Sequence, residues 1–283
     1  LNRFLRPLAL ASLALTCTLA LTLAGSATPA LAQAQKADFP TMLDKGGSVL
    51  VTIKYILEAE GQEQENEVTG SLISADGLVL ASNFFFGGGP GGANATPKQI
   101  KILHADDTVG IDAKFIARDT ELGLAWLKVN SAPATPFPFV DFSKHAQATV
   151  GEELFAVRKL GKFFGQAFSI AEGRIASVVT KPRTLMIPTI GLATRSEIAL
   201  PLYNTAGQVV GINTYILPDE DEMAGGSDAL KGAEYGMILP AKDVVEATAK
   251  ALENAANTPA PTEAPMPMDA PAPAPAPAEG QPK

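Results

Sequence analysis

Hydrolytic chemistry needs a nucleophile, a base to take its proton and a group to orient that base. The chain offers few residues for such work. It has one cysteine, Cys17, and two histidines, His104 and His145. Cys17 lies midway along an apolar run from Leu8 to Gly25, preceded by Thr16, which does not make a lipoprotein site. His104 ends a strand-like run and His145 follows a Pro-rich connector, so each reads as a surface histidine. Two isolated histidines without cysteine make no zinc site by spacing. The acidic stretch "PDEDEMAGGSD" (Pro218 to Asp228) has carboxylates for calcium, but its spacing matches no defined calcium loop and it reads as solvated. No metal or other cofactor is expected. The unusual stretch is "GLVLASNFFFGGGPGG" (Gly77 to Gly92), in which a strand runs into a turn with three phenylalanines and a glycine run.

The elements that must position any site begin after residue 32. Arg3 and Arg6, the apolar run and "SATPALA" ending in Ala30-Leu31-Ala32 form a secretory signal peptide over 1–32, cut before Gln33. Cleavage removes the only cysteine, so neither a disulfide nor a thiol nucleophile is expected in what remains. It also removes the segment that could span a membrane, so no stable membrane insertion is expected afterwards. The leader carries two of the 22 basic residues and no acid, which leaves 20 basic against 30 acidic groups, a net charge of −10. Such a surface excludes nucleic acid and anionic membranes as natural partners.

At the other end, 257–283 is a different material. "TPAPTEAPMPMDAPAPAPAPAEGQPK" (Thr258 to Lys283) alternates Pro and Ala and favours a disordered, polyproline-like tail, either inert or a spacer through an envelope layer. Before it, "LPAKDVVEATAKALEN" is the one clear helix, with Val245, Ala249 and Leu252 on one face. Between Gly46 and Pro240 the chain reads as about eleven short strands, broken by turn signals such as "SADG" and "NTAG". The connector "SAPATPFPF" (Ser131 to Phe139) divides them into two similar sets. The reading is an all-β fold with a first β-barrel over 33–130, and a second β-barrel plus the helix over 131–256.

Several stretches resemble the trypsin-like serine proteases, and in detail the HtrA/Deg-type periplasmic proteases. "GSLISADGLVLASN" (Gly70 to Asn83) is similar to the family's strand pair that leads to Thr-Asn-x-His. "DAKFIARDTELGLAWLKV" (Asp112 to Val129) is similar to the pair whose turn presents its aspartate. "VGEELFAV", "IAEGRIASV", "PLYNTAGQVVGINT" and "YGMILPAKDVVEATAKALE" resemble successive parts of its second barrel, and "FPTMLDKGGSVLVTI" fits its N-terminal segment. The resemblance implies two antiparallel Greek-key barrels and a C-terminal helix. It runs from about Phe39 to Asn254, and the Pro/Ala tail stands where the family often carries a PDZ domain.

At the positions that match the family's triad this chain has other residues. Phe84 matches the histidine, Gly123 the aspartate and Ile198 the serine; Ala199 and Leu200 stand for the two glycines that follow it. Phenylalanine has no lone pair to accept a proton, glycine orients nothing and isoleucine has no nucleophilic atom. The resemblance therefore implies no catalytic residue, and a degenerate member acting in peptide or protein binding, scaffolding or regulation in the periplasm or outside the cell. Phe84 and Ile198 are then candidates for an apolar groove floor that takes unfolded or extended peptide segments or an envelope protein, with Gly87 to Gly92 at its rim. Two alternatives stay open: an active endopeptidase with Ser196 as a displaced nucleophile, and a structural envelope module tethered by its tail. Active members commonly form trimers, and whether this chain forms a homotrimer is open.

Overall fold

A computed structural model describes residues 38–59, 62–87, 96–181, 183–189, 192, 197–215 and 236–257. The expected leader, the tail from Thr258, the acidic loop Pro218 to Asp228, Ser196 and the glycine run beyond Gly87 lie outside the described residues.

The chain opens with a helix α1 (Phe39–Ser48) that the sequence reading did not expect. Asp38 caps it, accepting hydrogen bonds from the Thr41 backbone and hydroxyl, and Pro40 occupies its first turn. Its sequence looks unlike a helix because Gly46 and Gly47 fall in the last turn. Packing explains them: a β-carbon on Gly46 would stand 2.4 Å from a methyl of Val157, so glycine lets the helix lie close on the second barrel. Although it precedes the first barrel in sequence, α1 therefore packs on β7 and β8 of the second.

The first barrel is built from β1 (Leu50–Ala59), β2 (Gln62–Leu72), β3 (Leu78–Ser82), β4 (Lys98–His104), β5 (Ile111–Asp119) and β6 (Leu124–Val129). The second is built from β7 (Glu153–Lys159), β8 (Phe168–Val179), β9 (Leu185–Pro188), β10 (Pro201–Asn204), β11 (Val209–Thr214) and β12 (Met237–Pro240). Both are closed and antiparallel with the same strand order: β1-β2-β3-β6-β5-β4, then β7-β8-β9-β12-β11-β10. Closure removes most free edges, which open sheets must otherwise guard. Strand β9 has only four residues and a single proline-ended apolar run, too short to register as a strand from sequence alone. The expected strand "EIALPLY" is half turn: Glu197 to Leu200 form the turn, and β10 begins at Pro201.

Alternation along β1 and β3 explains where the core sits. Val51, Ile53 and Tyr55, with Val79 and Ala81, fill the first barrel together with Phe86 and Leu127. Leu50, Leu78 and Leu80 face the other way and join Trp126, Ile198, Leu200 and Ile212 in a core shared by both barrels. The C-terminal helix α2 (Ala241–Asn257) caps this shared core. Its buried residues are Ala241, Val244 and Ala251, whereas Val245 and Leu252 are partly exposed, so the buried seam is offset by one residue from the face read in the sequence. A hydrogen bond of 3.0 Å from Trp126 Nε1 to Thr248 Oγ1 sets that rotation. Among the described residues, no helix is long and apolar enough to cross a membrane.

Candidate functional site

Strand β3 ends at Ser82, and its hydroxyl accepts from the Phe84 backbone, capping a single 3-10 turn over Asn83–Phe86. Gly87 closes the turn at φ +79°, a conformation that favours glycine. The three phenylalanines then point to different places. Phe86 is fully buried, against Tyr55 and Phe115. Phe85 is half-buried and edge-on to Phe84, and its carbonyl accepts from the Tyr55 hydroxyl at 2.7 Å. Burial pushes the Tyr55 phenol up to about 12, so it remains a donor throughout the physiological range. Phe84 alone is 49% exposed.

The other two positions are tied to this turn by backbone hydrogen bonds. Asn83 N–H donates to the Gly123 carbonyl at 2.8 Å. Gly123 sits at φ +67°, in the turn before β6, and a β-carbon there would meet only the Tyr215 carbonyl, at 3.8 Å. One residue earlier, the Leu122 carbonyl accepts from Thr214 Oγ1 at 3.0 Å. Asn213, next to Thr214, accepts from Ala199 N–H at 2.7 Å and donates to the Leu200 carbonyl at 2.9 Å. The segments of Phe84, Gly123 and Ile198, read from the sequence as one site, are thus linked in a continuous chain of contacts across both barrels.

The turn at Ile198 is built differently from a strand. Leu200 N–H returns to the Glu197 carbonyl at 3.2 Å, and Ala199 takes φ +70°. Ile198, Ala199 and Leu200 are all buried in the shared core. Glu197 forms an ion pair of 2.7 Å with Arg158 of β7, and both side chains are mostly buried. Arg158 also donates to the Leu192 carbonyl at 3.3 Å. This pair escaped the sequence reading because its members are far apart in the chain, and only the return of β7 past the turn brings them together. Asn83 was missed too: its side chain is fully buried, and neither its amide nitrogen nor its oxygen finds a partner among the described residues.

His104 Nε2 lies 2.8 Å from the Ser48 carbonyl and its ring stands edge-on to Phe137. His145 Nδ1 lies 2.9 Å from the Phe142 carbonyl. Each is engaged where it stands. No group of three or more His, Cys, Asp or Glu that could hold a metal ion occurs among the described residues. A shallow groove of about 400 Å³ between β4 and β5, lined by Pro97, Ile100, Ala113 and Phe115 among others, includes none of the three positions.

Comparison with known proteins agrees with this geometry. The family model of the trypsin-like peptidase domain matches residues 68–212, just over half of the chain. A "Probable periplasmic serine endoprotease DegP-like" from Brucella suis is 26% identical over 175 residues, covering 60% of this chain and 32% of its own length. Proteins of the same name from Hahella chejuensis (28% over 177 residues) and Ectopseudomonas mendocina (30% over 179) each cover 60% of this chain and 34% of their own. The chain thus spans about a third of the length of the curated relatives it matches. Among solved structures, an HtrA-type protease, AlgW, with a tripeptide superposes with a TM-score of 0.53 at 18% identity, covering 76% of this chain and 64% of that one. The order of the barrels, the linked turns and the family match lead to one conclusion: the chain belongs to the trypsin-like peptidase family, and these likenesses lie among its HtrA/Deg-type members.

Proposed function

We propose that this protein is a degenerate trypsin-like member that binds extended polypeptide in the cell envelope without cutting it. The observation that carries the reading is the set of side chains at the three linked positions, Phe84, Gly123 and Ile198. A serine hydroxyl acts as a nucleophile only when a base takes its proton, and none of these three side chains supplies nucleophile, base or orienting group. The backbone of the second turn argues the same way. An oxyanion hole needs N–H groups aimed at the developing charge, and here Ala199 N–H is already spent on the Asn213 carbonyl.

What the site keeps is a surface. Phe84 presents about half of its ring to solvent, with Phe85 edge-on behind it and the buried Ile198 turn across the barrel junction. An exposed aromatic ring favours apolar side chains of a peptide. The periplasmic names of the relatives and the solved likeness with a tripeptide support an envelope location and a peptide ligand.

Casein turnover by the purified chain, beside a Ser196→Ala variant, tests the reading. The expected result is no cleavage above background in either. Cleavage that disappears with Ser196→Ala overturns it in favour of an active endopeptidase. A labelled extended peptide is then titrated against the chain and against Phe84→Asp. Binding weakened at least five-fold by the substitution supports the groove; undiminished binding, or none to either protein, removes it and leaves the structural envelope module.

A further inference from the structure

We propose that the free edge of β2 takes up an extended, Lys- or Arg-rich segment of another polypeptide as an added strand. This surface is separate from the site of Phe84 and stands or falls independently of it.

The barrel closes at β2 only in part. Strand β2 pairs with β1 from Gln62 to Ser71, but with β3 only at Ser71 and Leu72. From Gln62 to Gly70 its second edge has no hydrogen-bonded strand among the described residues. Gln62 to Glu65 are exposed on both faces, so nothing there covers the edge. Such an edge presents a row of backbone donors and acceptors, ready for a further strand.

The chemistry of the edge selects the occupant. Glu63, Glu65 and Glu67 alternate along the strand and so stand on one face, spaced about 7 Å apart at two residues per repeat. Glu65 carries no ion pair among the described residues, and Glu63 has only the more distant charge of Lys98, which is bonded to Glu58 on the neighbouring strand. Glu67 binds Lys162 at 2.8 Å and Gln166 at 3.0 Å, which docks the β7–β8 hairpin beside the edge. The tip of that hairpin carries Phe163, 92% exposed, edge-on to Phe164, 62% exposed. An incoming strand with a cation at every second position would match the row of carboxylates and reach open aromatic rings, to which cations are attracted. A second copy of this chain fits poorly, because pairing two such edges brings like charges together.

The test uses a fluorescent eight-residue Lys-Thr repeat peptide, followed by anisotropy, against the full chain. The expected result is binding at least ten-fold tighter than that of a Glu-Thr peptide of equal length. It should weaken at least ten-fold in a Glu63→Lys/Glu65→Lys variant, and several-fold in Phe163→Ser/Phe164→Ser. All four positions are exposed, so folding should persist, and circular dichroism checks it. Methylation of the peptide's backbone nitrogens should abolish binding, since strand addition needs those donors. Binding that survives methylation, that ignores the Glu→Lys changes, or that is equal for the two peptides overturns the proposal, and so does no binding of the Lys-Thr peptide.

Discussion

The turn that carries Phe84 and the turn that carries Ile198 answer to different constraints. The first hangs at the end of β3, holds two aromatic rings inward and leaves a third in solvent. The second is sunk in the core between the barrels, with an alanine in a left-handed conformation and an ion pair at its flank. Both retain backbone hydrogen bonds that fix their place, while their side chains serve opposite ends. One displays apolar surface and the other consumes it. Two turns tied into one chain of hydrogen bonds can thus be core on one side and surface on the other.

Substitution at the two turns should test this contrast. Ile198→Ala opens a cavity in the shared core and should cost about 2–4 kcal/mol, read as a lowered urea midpoint at constant m. A loss under about 1 kcal/mol would mean that the turn is not part of the core. Glu197→Ala leaves Arg158 mostly buried without its carboxylate, and should cost about 2 kcal/mol. Ala199→Gly relieves the left-handed alanine, worth about 1–2 kcal/mol, but removes a fully buried methyl worth about 0.8 kcal/mol, so stability should change by less than about 1 kcal/mol. Phe84→Ala, at a half-exposed ring, should change stability by less than about 1 kcal/mol while affecting peptide binding.

Acid should act away from both turns. The hydrogen bond from Lys128, then that from Ser74, holds the Asp76 carboxyl below the usual range. Thr41 does the same for Asp38, the backbone of Val109 and Gly110 for Asp107, and Ser143 for Asp141. A carboxyl whose folded pKa lies below its unfolded value contributes stability above about pH 4 and loses it as the pH falls through the folded value. Burial raises Asp243, which works in the opposite sense: its contribution declines as the pH rises past the unfolded value. With Glu58, held down by the hydrogen bond from Lys98, five lowered carboxyls against one raised predict net destabilisation below about pH 4, with the smallest effects in this series. Unchanged urea midpoints between pH 5 and pH 3 would contradict it.

Much of the architecture was legible in the order of apolar runs and turns. Alternation in "SVLVTIKYIL" and the "SADG" and "NTAG" turns mark strands because side chains on a strand face opposite ways at every step. The two-barrel fold followed from that order together with the family resemblance. Local pattern misled where packing outweighs propensity. A helix with Gly46 and Gly47 in its last turn looks like a loop until Val157 is seen beside it. "IAL" after Glu197 looks like strand because its residues are apolar, yet Ile198, Ala199 and Leu200 are buried in a turn.

By itself, the amino-acid sequence determined the strand pattern, the acidic balance and the residue types at the three matched positions, because these are properties of neighbours along the chain. Only the tertiary structure decided which way each phenylalanine faces, which barrel holds α1, that Arg158 meets Glu197 and that, among the described residues, β2 meets β3 only at Ser71 and Leu72. Each of these depends on segments far apart in sequence sharing a few ångströms of space. Burial, pairing and openness are set there by closure of the barrels, and no local preference encodes them.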